Sequence, residues 1–140
     1  MLSSQPQSEN LMQHHVSPDV PLPGGPYSHA VSASGLVYLS GQRPQHPVTG
    51  AIPDGVVAQA RQVFENLGSV LKSCGCTFAD VIKVSVYLAD IADFAAFNEV
   101  YREFLVEPYP ARTTIACTLR GIQVEVDLVA ALATSIPSAG

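Results

Sequence analysis

The stretch DVIKVSVYLADIADFAAFNEVYREFL, residues 80–105, predicts a strand followed directly by a helix. The strand alternates between an apolar face and a polar face, as half-buried strands do. Its apolar face comprises Ile82, Val84, Val86 and Leu88. The helix runs from about Ala92 to Leu105, and its apolar side comprises Phe94, Phe97, Tyr101 and Phe104. Such a pair is half of a strand–helix–strand unit, in which the helix covers one face of a sheet.

Upstream of this stretch, the sequence predicts a second helix and a β-hairpin. Apolar residues recur at intervals of three and four from Val56 onwards, and this helix is predicted to end near Gly75. Residues 31–42 hold two short alternating runs on either side of Gly35, which is typical of a hairpin. Residues 11–16 predict a further short strand.

Downstream, two final strands are predicted, Arg112 to Leu119 and Ile122 to Leu132, joined by a tight turn around Gly121. The last strand is apolar on both faces, with Val129 and Ala131 opposite Leu128, Ala130 and Leu132. Because both helices are expected on one face of the sheet, we expect another subunit to cover the second face. The predicted fold is therefore a two-layer α+β domain within an oligomer.

Length and composition limit the class of protein. The 140 residues suffice for one domain, predicted at residues 11–135 between a disordered leader, 1–10, and a flexible tail, 136–140. A net charge of −5 argues against a nucleic-acid binder, and no apolar run is long enough for a membrane span. Three cysteines make no disulfide framework, and the N-terminus lacks the order of a signal peptide, so we expect a cytoplasmic protein.

Arg112 and two carboxylates are the candidate functional residues. Arg112 begins a predicted strand among small and hydroxylated neighbours, and a guanidinium in such surroundings suits a carboxylate bound by two hydrogen bonds. The alternative is an ordinary arginine in water at a strand end. Glu125 and Asp127 share one face of a mostly apolar strand. Such an acid either orients a water and accepts a proton, or faces solvent at a sheet edge.

Other chemistries are not predicted. The four histidines lack the spacing of metal ligands, and Cys74-Gly75-Cys76 is interpreted as structural because it directly follows a helix. Residues 24–27 lack the pattern of a phosphate-binding loop. We therefore expect neither a metal nor an organic cofactor.

Six blocks of the sequence, in order and with similar spacing, resemble the Rid family, also called YjgF-like, of reactive enamine and imine deaminases. The blocks are GPYSHAV (25–31), VYLSGQ (37–42), Q-x-x-x-x-x-x-NLGSVLKSCG (59–75), DVIKVSVYLADIADFAAFNEVYREFL (80–105), PARTTI (110–115) and VEVDLVA (124–130). The resemblance covers about residues 12–132. It implies a chorismate-mutase-like α+β fold and a homotrimer with active sites in the clefts between subunits.

The same resemblance implies a role for particular residues. The arginine of the PARTTI block, Arg112, binds the substrate carboxylate, and Glu125 rather than Asp127 positions the attacking water. The backbone of Thr114 helps to hold that water. The residues implied to line the pocket are Tyr27, Ser40, Gly41, Phe97 and Asn98.

The implied reaction is hydrolysis of 2-enamino or 2-imino acids, such as 2-aminoacrylate, to 2-keto acids and ammonia. Two alternatives stay open: a non-catalytic carboxylate-binding or chaperone-like trimer, and a specialised catabolic deaminase of the aminomuconate type. A ribonuclease is disfavoured by the charge of −5 and by the lack of any Lys/Arg cluster in the sequence.

Three positions depart from the usual family pattern. His29 stands where glutamine is usual after GPYS, and Arg43-Pro44 follows SGQ where an aliphatic residue is frequent. The turn LRGIQVE (119–125) lacks the usual proline. Because these changes fall near the implied pocket walls, we expect them to affect the range of substrates.

Overall fold

The computed structural model of the protein describes residues 11–132. The predicted leader and tail lie outside the described residues, as do residues 133–135 at the end of the predicted domain. In the described range the elements follow one another as β1 (Gln13–His15), β2 (Ala30–Ala33), β3 (Leu36–Gln42), α1 (Val56–Ser73), β4 (Val81–Leu88), α2 (Phe94–Phe104), β5 (Ala111–Ala116) and β6 (Val124–Ala131). Short 3-10 turns, Phe78–Asp80 and Ile91–Asp93, precede β4 and α2.

The strands form one mixed sheet in the order β1-β2-β3-β6-β4-β5. All neighbours are antiparallel except β4 and β5, which are parallel because α2 connects them as a crossover. Helix α1 packs on β3 and β6, and Phe64 of α1 contacts the aromatic rings of α2. Both helices thus cover the same face, which confirms the predicted α+β architecture.

The hairpin around Gly35 is confirmed. Strands β2 and β3 pair from Ala30 opposite Leu39 to Ala33 opposite Leu36. The two turn residues, Ser34 and Gly35, have φ of 55° and 83°. Two consecutive positive φ values match the right-handed twist of the flanking strands, and glycine adopts such a φ without strain.

The predicted tight turn between the last two strands is wrong. Strand β5 ends at Ala116, β6 begins at Val124, and β4 lies between them in the sheet. The connecting residues 117–123 pass over the end of β4, where Cys117 N–H donates to the carbonyl of Leu88 at 2.9 Å. A strand that follows a crossover helix pairs with the strand before that helix, so β5 takes one edge of β4 and leaves the other to β6.

Two predicted core positions are also wrong. Ile82 is 45% exposed, whereas Val81 is 8% exposed, because the pairing of β4 with β6 shifts register between Val81 and Lys83. The extra residue reverses the alternation at the start of the strand. Phe94 is 42% exposed, because it lies at the very start of α2, at the margin of the core.

The face of the sheet away from the helices is of mixed character. Val129 and Ala131 of β6 are half-buried there, and Tyr38 and Ile115 are exposed on the same face. Lys83 donates to the Thr113 hydroxyl across this face at 3.2 Å. Among residues 11–132, no helix is long and apolar enough to cross a membrane.

Candidate active site

Arg112 lies on the helix-covered face of the sheet. It pairs with Val84, whose side chain is fully buried beneath the helices, and paired residues point to the same face. The guanidinium carbon lies 4.6 Å from the ring centroid of Tyr101, 5.6 Å from that of Phe94 and 5.8 Å from that of Phe97. Three aromatic faces of α2 therefore hold this cation in place at the edge of the sheet.

Arg112 borders a cavity of about 230 Å³. Burial raises the pKa of the Tyr101 hydroxyl, and the positive charge of Arg112 opposes that rise. The hydroxyl therefore keeps its proton at neutral pH and can donate a hydrogen bond. The cavity is lined by Asn98, Tyr101, Arg102, Tyr109, Pro110 and Arg112.

Three buried polar atoms on α2 and β5 have no hydrogen-bond partner among the described residues. They are Asn98 Oδ1, the Tyr101 hydroxyl and Thr114 Oγ1. Buried polar atoms are normally paired, and unpaired ones lower stability. Because Arg112 also makes no ion pair within residues 11–132, this edge of the sheet is a candidate binding site for an anion.

Glu125 lies on the opposite face of the sheet from Arg112. It pairs with Tyr87, whereas Arg112 pairs with Val84, and positions that differ by an odd number along β4 face opposite ways. Glu125 borders a separate cavity of about 470 Å³. Its lining comprises Tyr27, Ser40, Gly41, Arg43, Thr118, Leu119, Arg120 and Glu125.

The Glu125 carboxylate packs against the backbone of Gly41. A Cβ atom at Gly41 would overlap Glu125 Oε2 and would lie 3.2 Å from its Cδ. The pairing of β3 with β6 is also irregular between Leu39 and Gln42, so that Ser40 and Gly41 oppose a single residue, Asp127. The bulge and the missing side chain together make room for the acid.

The environment of Glu125 suits proton transfer. Burial raises the pKa of its carboxyl, the charge of Arg43 lowers it, Asp127 raises it and Arg120 lowers it. A carboxylate whose pKa is raised toward neutrality accepts and returns a proton more readily than an exposed one. Asp127, the other candidate, accepts a hydrogen bond of 2.9 Å from the Tyr87 hydroxyl. Glu125 is thus the better placed of the two acids.

The loop that carries Tyr27 is fixed by hydrogen bonds to β3 and to buried His29. The Ser40 hydroxyl donates to the Ser28 carbonyl at 2.7 Å. His29 Nδ1 accepts from Ser17 N–H at 2.8 Å, so Nε2 carries the proton and donates to the Pro21 carbonyl, also at 2.8 Å. The histidine therefore ties residues 17–21 to the start of β2, and Tyr27, two residues before it, lines the Glu125 cavity.

The predicted site residues fall into two groups. Arg112 and Asn98 line the smaller cavity, Phe97 lies against the Arg112 guanidinium, and Thr114 follows Arg112 on the same face of β5. Tyr27, Ser40, Gly41 and Glu125 lie together around the larger one. A single chain does not bring the two groups into one cavity, because they lie on opposite faces of the sheet.

Sequence reasoning missed several residues that line these cavities. Tyr101 and Tyr109 flank Arg112, and Arg43 and Arg120 flank Glu125. Tyr101 follows Phe97 by four residues, so its side could have been assigned from helical spacing, but the pattern alone indicated a core residue. Nothing in the linear sequence indicates that Arg43 and Arg120, 77 residues apart, meet in space.

The chain matches the family described as endoribonuclease L-PSP over residues 18–132. It is 42% identical over 109 residues to 2-iminobutanoate/2-iminopropanoate deaminase of Capra hircus, which covers 76% of this chain and 80% of the relative. It is 41% identical over 113 residues, or 77% of this chain and 89% of the relative, to the protein mmf2, mitochondrial, of Schizosaccharomyces pombe. Because one of these relatives is named mitochondrial, the cytoplasmic location of this protein stays a prediction.

Solved structures show the same fold. RidA from the Antarctic bacterium Psychrobacter sp. PAMC 21119 is 39% identical with a TM-score of 0.80, and the match covers 85% of this chain and 98% of that one. TdcF of E. coli, solved with bound serine, is 33% identical with a TM-score of 0.78, over 84% of this chain and 98% of that one. The protein belongs to the endoribonuclease L-PSP family, also known as the YjgF/Rid family.

Proposed function

We propose that the protein hydrolyses 2-enamino and 2-imino acids to 2-keto acids and ammonia. Relatives about 40% identical to it are named 2-iminobutanoate/2-iminopropanoate deaminase. The observation that carries the proposal is the guanidinium of Arg112, which lies over the aromatic rings of α2 and makes no ion pair among residues 11–132. The carboxylate of an anionic substrate would bind this cation.

Arg112 binds and orients the substrate in this proposal. An enamine such as 2-aminoacrylate tautomerises to the imine, and the guanidinium binds its carboxylate with two parallel hydrogen bonds. Asn98 and Phe97 form the adjoining wall, and the backbone of Thr114 helps to hold the water. Fixing the imine carbon next to a held water removes most of the entropic barrier to their reaction.

Glu125 supplies the proton transfers. Its carboxylate accepts a proton from the water as the oxygen bonds to the imine carbon, and the nitrogen is protonated in turn. The carbon–nitrogen bond of the resulting carbinolamine then breaks, so that ammonia leaves and the 2-keto acid remains. Tyr27, Ser40 and Gly41 line the cavity in which this occurs. The reaction consumes one water and needs no oxidant or reductant.

The proposal requires an assembly that unites the two groups of residues. We propose a homotrimer in which Arg112 of one subunit faces Glu125 of the next. A ring with cyclic symmetry joins two different surfaces at each interface, so the edge at β5 of one subunit can meet the open sheet face of its neighbour. The apolar residues on that face, such as Val129 and Ile115, would be buried there.

The test is an imine-hydrolysis assay on the wild type and on Arg112→Ala. An amino-acid oxidase generates the imino acid in place, and semicarbazide competes for it, so an active enzyme lowers the yield of semicarbazone. We expect the wild type to protect the imino acid and Arg112→Ala to lose that activity with fold and assembly intact. Arg61→Ala is the matched control, because Arg61 pairs with Glu103 outside both cavities.

Two outcomes would contradict the proposal. A wild-type trimer that hydrolyses no imino acid would favour a carboxylate-binding module without catalysis. If Arg112→Ala lost its assembly along with its activity, the arginine would have a structural role, and its assignment to the substrate would be wrong.

A further inference from the structure

Two arginines from distant parts of the chain meet beside Glu125. Arg43 follows β3, and Arg120 lies in the connection between β5 and β6. Arg43 Nη2 donates to the Arg120 carbonyl at 3.1 Å. Both side chains line the 470 Å³ cavity that contains Glu125.

The two guanidinium groups have no carboxylate partner within the described residues. The ion pair found there within 4.0 Å joins Arg61 to Glu103, at the surface of the helices. Glu125 feels the charge of both arginines without forming such a pair with either. Two cations that line one cavity and have no carboxylate within 4.0 Å among residues 11–132 favour the binding of a further anion.

A structural role accounts for only part of this arrangement. The hydrogen bond from Arg43 fastens the 117–123 connection to the end of β3, but it uses one of the five N–H groups of that guanidinium. It also involves the backbone of Arg120 and leaves the Arg120 side chain unexplained. That side chain is exposed at the cavity.

The cavity that contains Glu125 continues into a neighbouring one. It adjoins a second cavity of about 560 Å³, lined mainly by residues 21–27, and the two share Tyr27, Gly41, Arg43 and Arg120. The arginines therefore lie where one cleft continues beyond Glu125.

We propose that Arg43 and Arg120 bind a second carboxylate of the substrate, so that the site acts on 2-imino dicarboxylic acids. This inference rests on the proposed function. The first carboxylate binds Arg112 of the neighbouring subunit, the imine carbon lies at Glu125, and the distal carboxylate extends along the cleft to the arginine pair. Guanidinium groups are suited to this role, since their fork of donors matches a carboxylate.

The experiment compares two kinds of imino acid in the same assay. D-Amino-acid oxidase acting on D-alanine supplies 2-iminopropanoate, and D-aspartate oxidase acting on D-aspartate or D-glutamate supplies the dicarboxylic imines. The quantity measured is the ratio of kcat/KM for dicarboxylic over monocarboxylic substrate. We expect this ratio to exceed one in the wild type and to fall about tenfold or more in Arg120→Met, as for a lost hydrogen bond to a charged group.

Arg120→Met removes the charge of this side chain but retains the backbone carbonyl to which Arg43 donates, so the hydrogen bond between the two segments is preserved. Three further variants test whether the effect is due to charge. Arg43→Met should lower the ratio as well, whereas Arg43→Lys should restore part of it. Arg61→Met should leave the ratio at its wild-type value. Calorimetry adds a second readout, since 2-oxoglutarate should bind more tightly than 2-oxopentanoate to the wild type and lose that advantage in Arg120→Met.

The outcomes distinguish this inference from the function on which it rests. If the wild type hydrolyses neither kind of imino acid, the proposed function fails. If it hydrolyses 2-iminopropanoate and the ratio stays the same in Arg43→Met and Arg120→Met, the deaminase stands and the second carboxylate site is wrong.

Discussion

Glu125 is half-buried and lies near the positive charges of Arg43 and Arg120. We expect a residue in this position to contribute to kcat rather than to substrate binding. We expect Glu125→Gln to lower kcat by about 100-fold or more, the usual contribution of a positioned acid–base group, with little change in KM. Steady-state kinetics with 2-iminopropanoate would measure both. Because burial raises the pKa of this carboxyl, the acid limb of the wild-type pH profile should fall above the ordinary range of glutamate.

Asp127→Asn is the matched control, since this neighbouring carboxylate is bonded to Tyr87. It should keep most of the turnover, and an equal loss in both variants would argue against a special role for Glu125.

The stability of Glu125→Gln gives a second readout. A raised pKa means that the ionised carboxylate destabilises the folded state at neutral pH. Glu125→Gln should therefore melt at a higher temperature at pH 7, and the difference should shrink as the pH falls through that pKa.

Gly41 is required by the position of the acid. A Cβ there would overlap the Glu125 carboxylate, so Gly41→Ala should displace the acid and lower kcat, with a smaller effect on folding. Kinetics and thermal melting of the same preparation measure the two effects. Gly50→Ala is a control in an open loop, although its φ of 74° makes some loss of stability expected. Unchanged turnover in Gly41→Ala would mean that the carboxylate is not held where the chemistry occurs.

At the scale of elements, the contact between the two helices depends on Phe64. Its ring stacks on Phe104 at 5.1 Å between centroids and also contacts Phe97 and Tyr101, which lie under Arg112. We expect Phe64→Ala to cost about 3–5 kcal/mol of unfolding free energy, as for other large truncations in a core. Chemical denaturation measures it. The exposed Arg61–Glu103 pair also joins the helices, and Arg61→Ala should cost far less.

The elements could be predicted where the pattern was local. Helix α1 and the hairpin at Gly35 follow from spacing and turn chemistry over a few residues. The order of the final strands could not, because two adjacent strands with a glycine between them resemble a hairpin whether or not a third strand lies between them. The register shift at Val81 could not be predicted from the sequence either, since both Val81 and Ile82 are apolar.

In the candidate site, too, the sequence predicts individual residues but not their arrangement in space. Arg112 and Glu125 were found from the character of their strands and from family resemblance. That they lie on opposite faces of the sheet depends on the register in which β5 and β6 each pair with β4, which the linear sequence does not show. The pairing of Arg43 with Arg120 depends on the strand order, because it brings the connection after β5 over to the end of β3.

For the whole molecule, the distribution of charge supports an anionic substrate. The chain carries a net charge of −5 and only seven Lys and Arg residues. Four of those seven line the two cavities: Arg43, Arg102, Arg112 and Arg120. Positive charge is thus concentrated at the cavities of an acidic protein, which favours small anions over an extended polyanion such as RNA.

The separation of Arg112 from Glu125 has a consequence for mixtures of defective chains. Arg112→Ala and Glu125→Gln should each be inactive alone. If the protein forms the homotrimer proposed above and every site takes its arginine and its acid from different subunits, random mixed trimers should regain about one quarter of the wild-type activity, since either chain fills each position half the time. Co-refolding the two variants and assaying the trimer fraction measures this. Mixed trimers with no recovered activity would mean that one chain supplies both residues of a site, so that the two variants cannot complement each other.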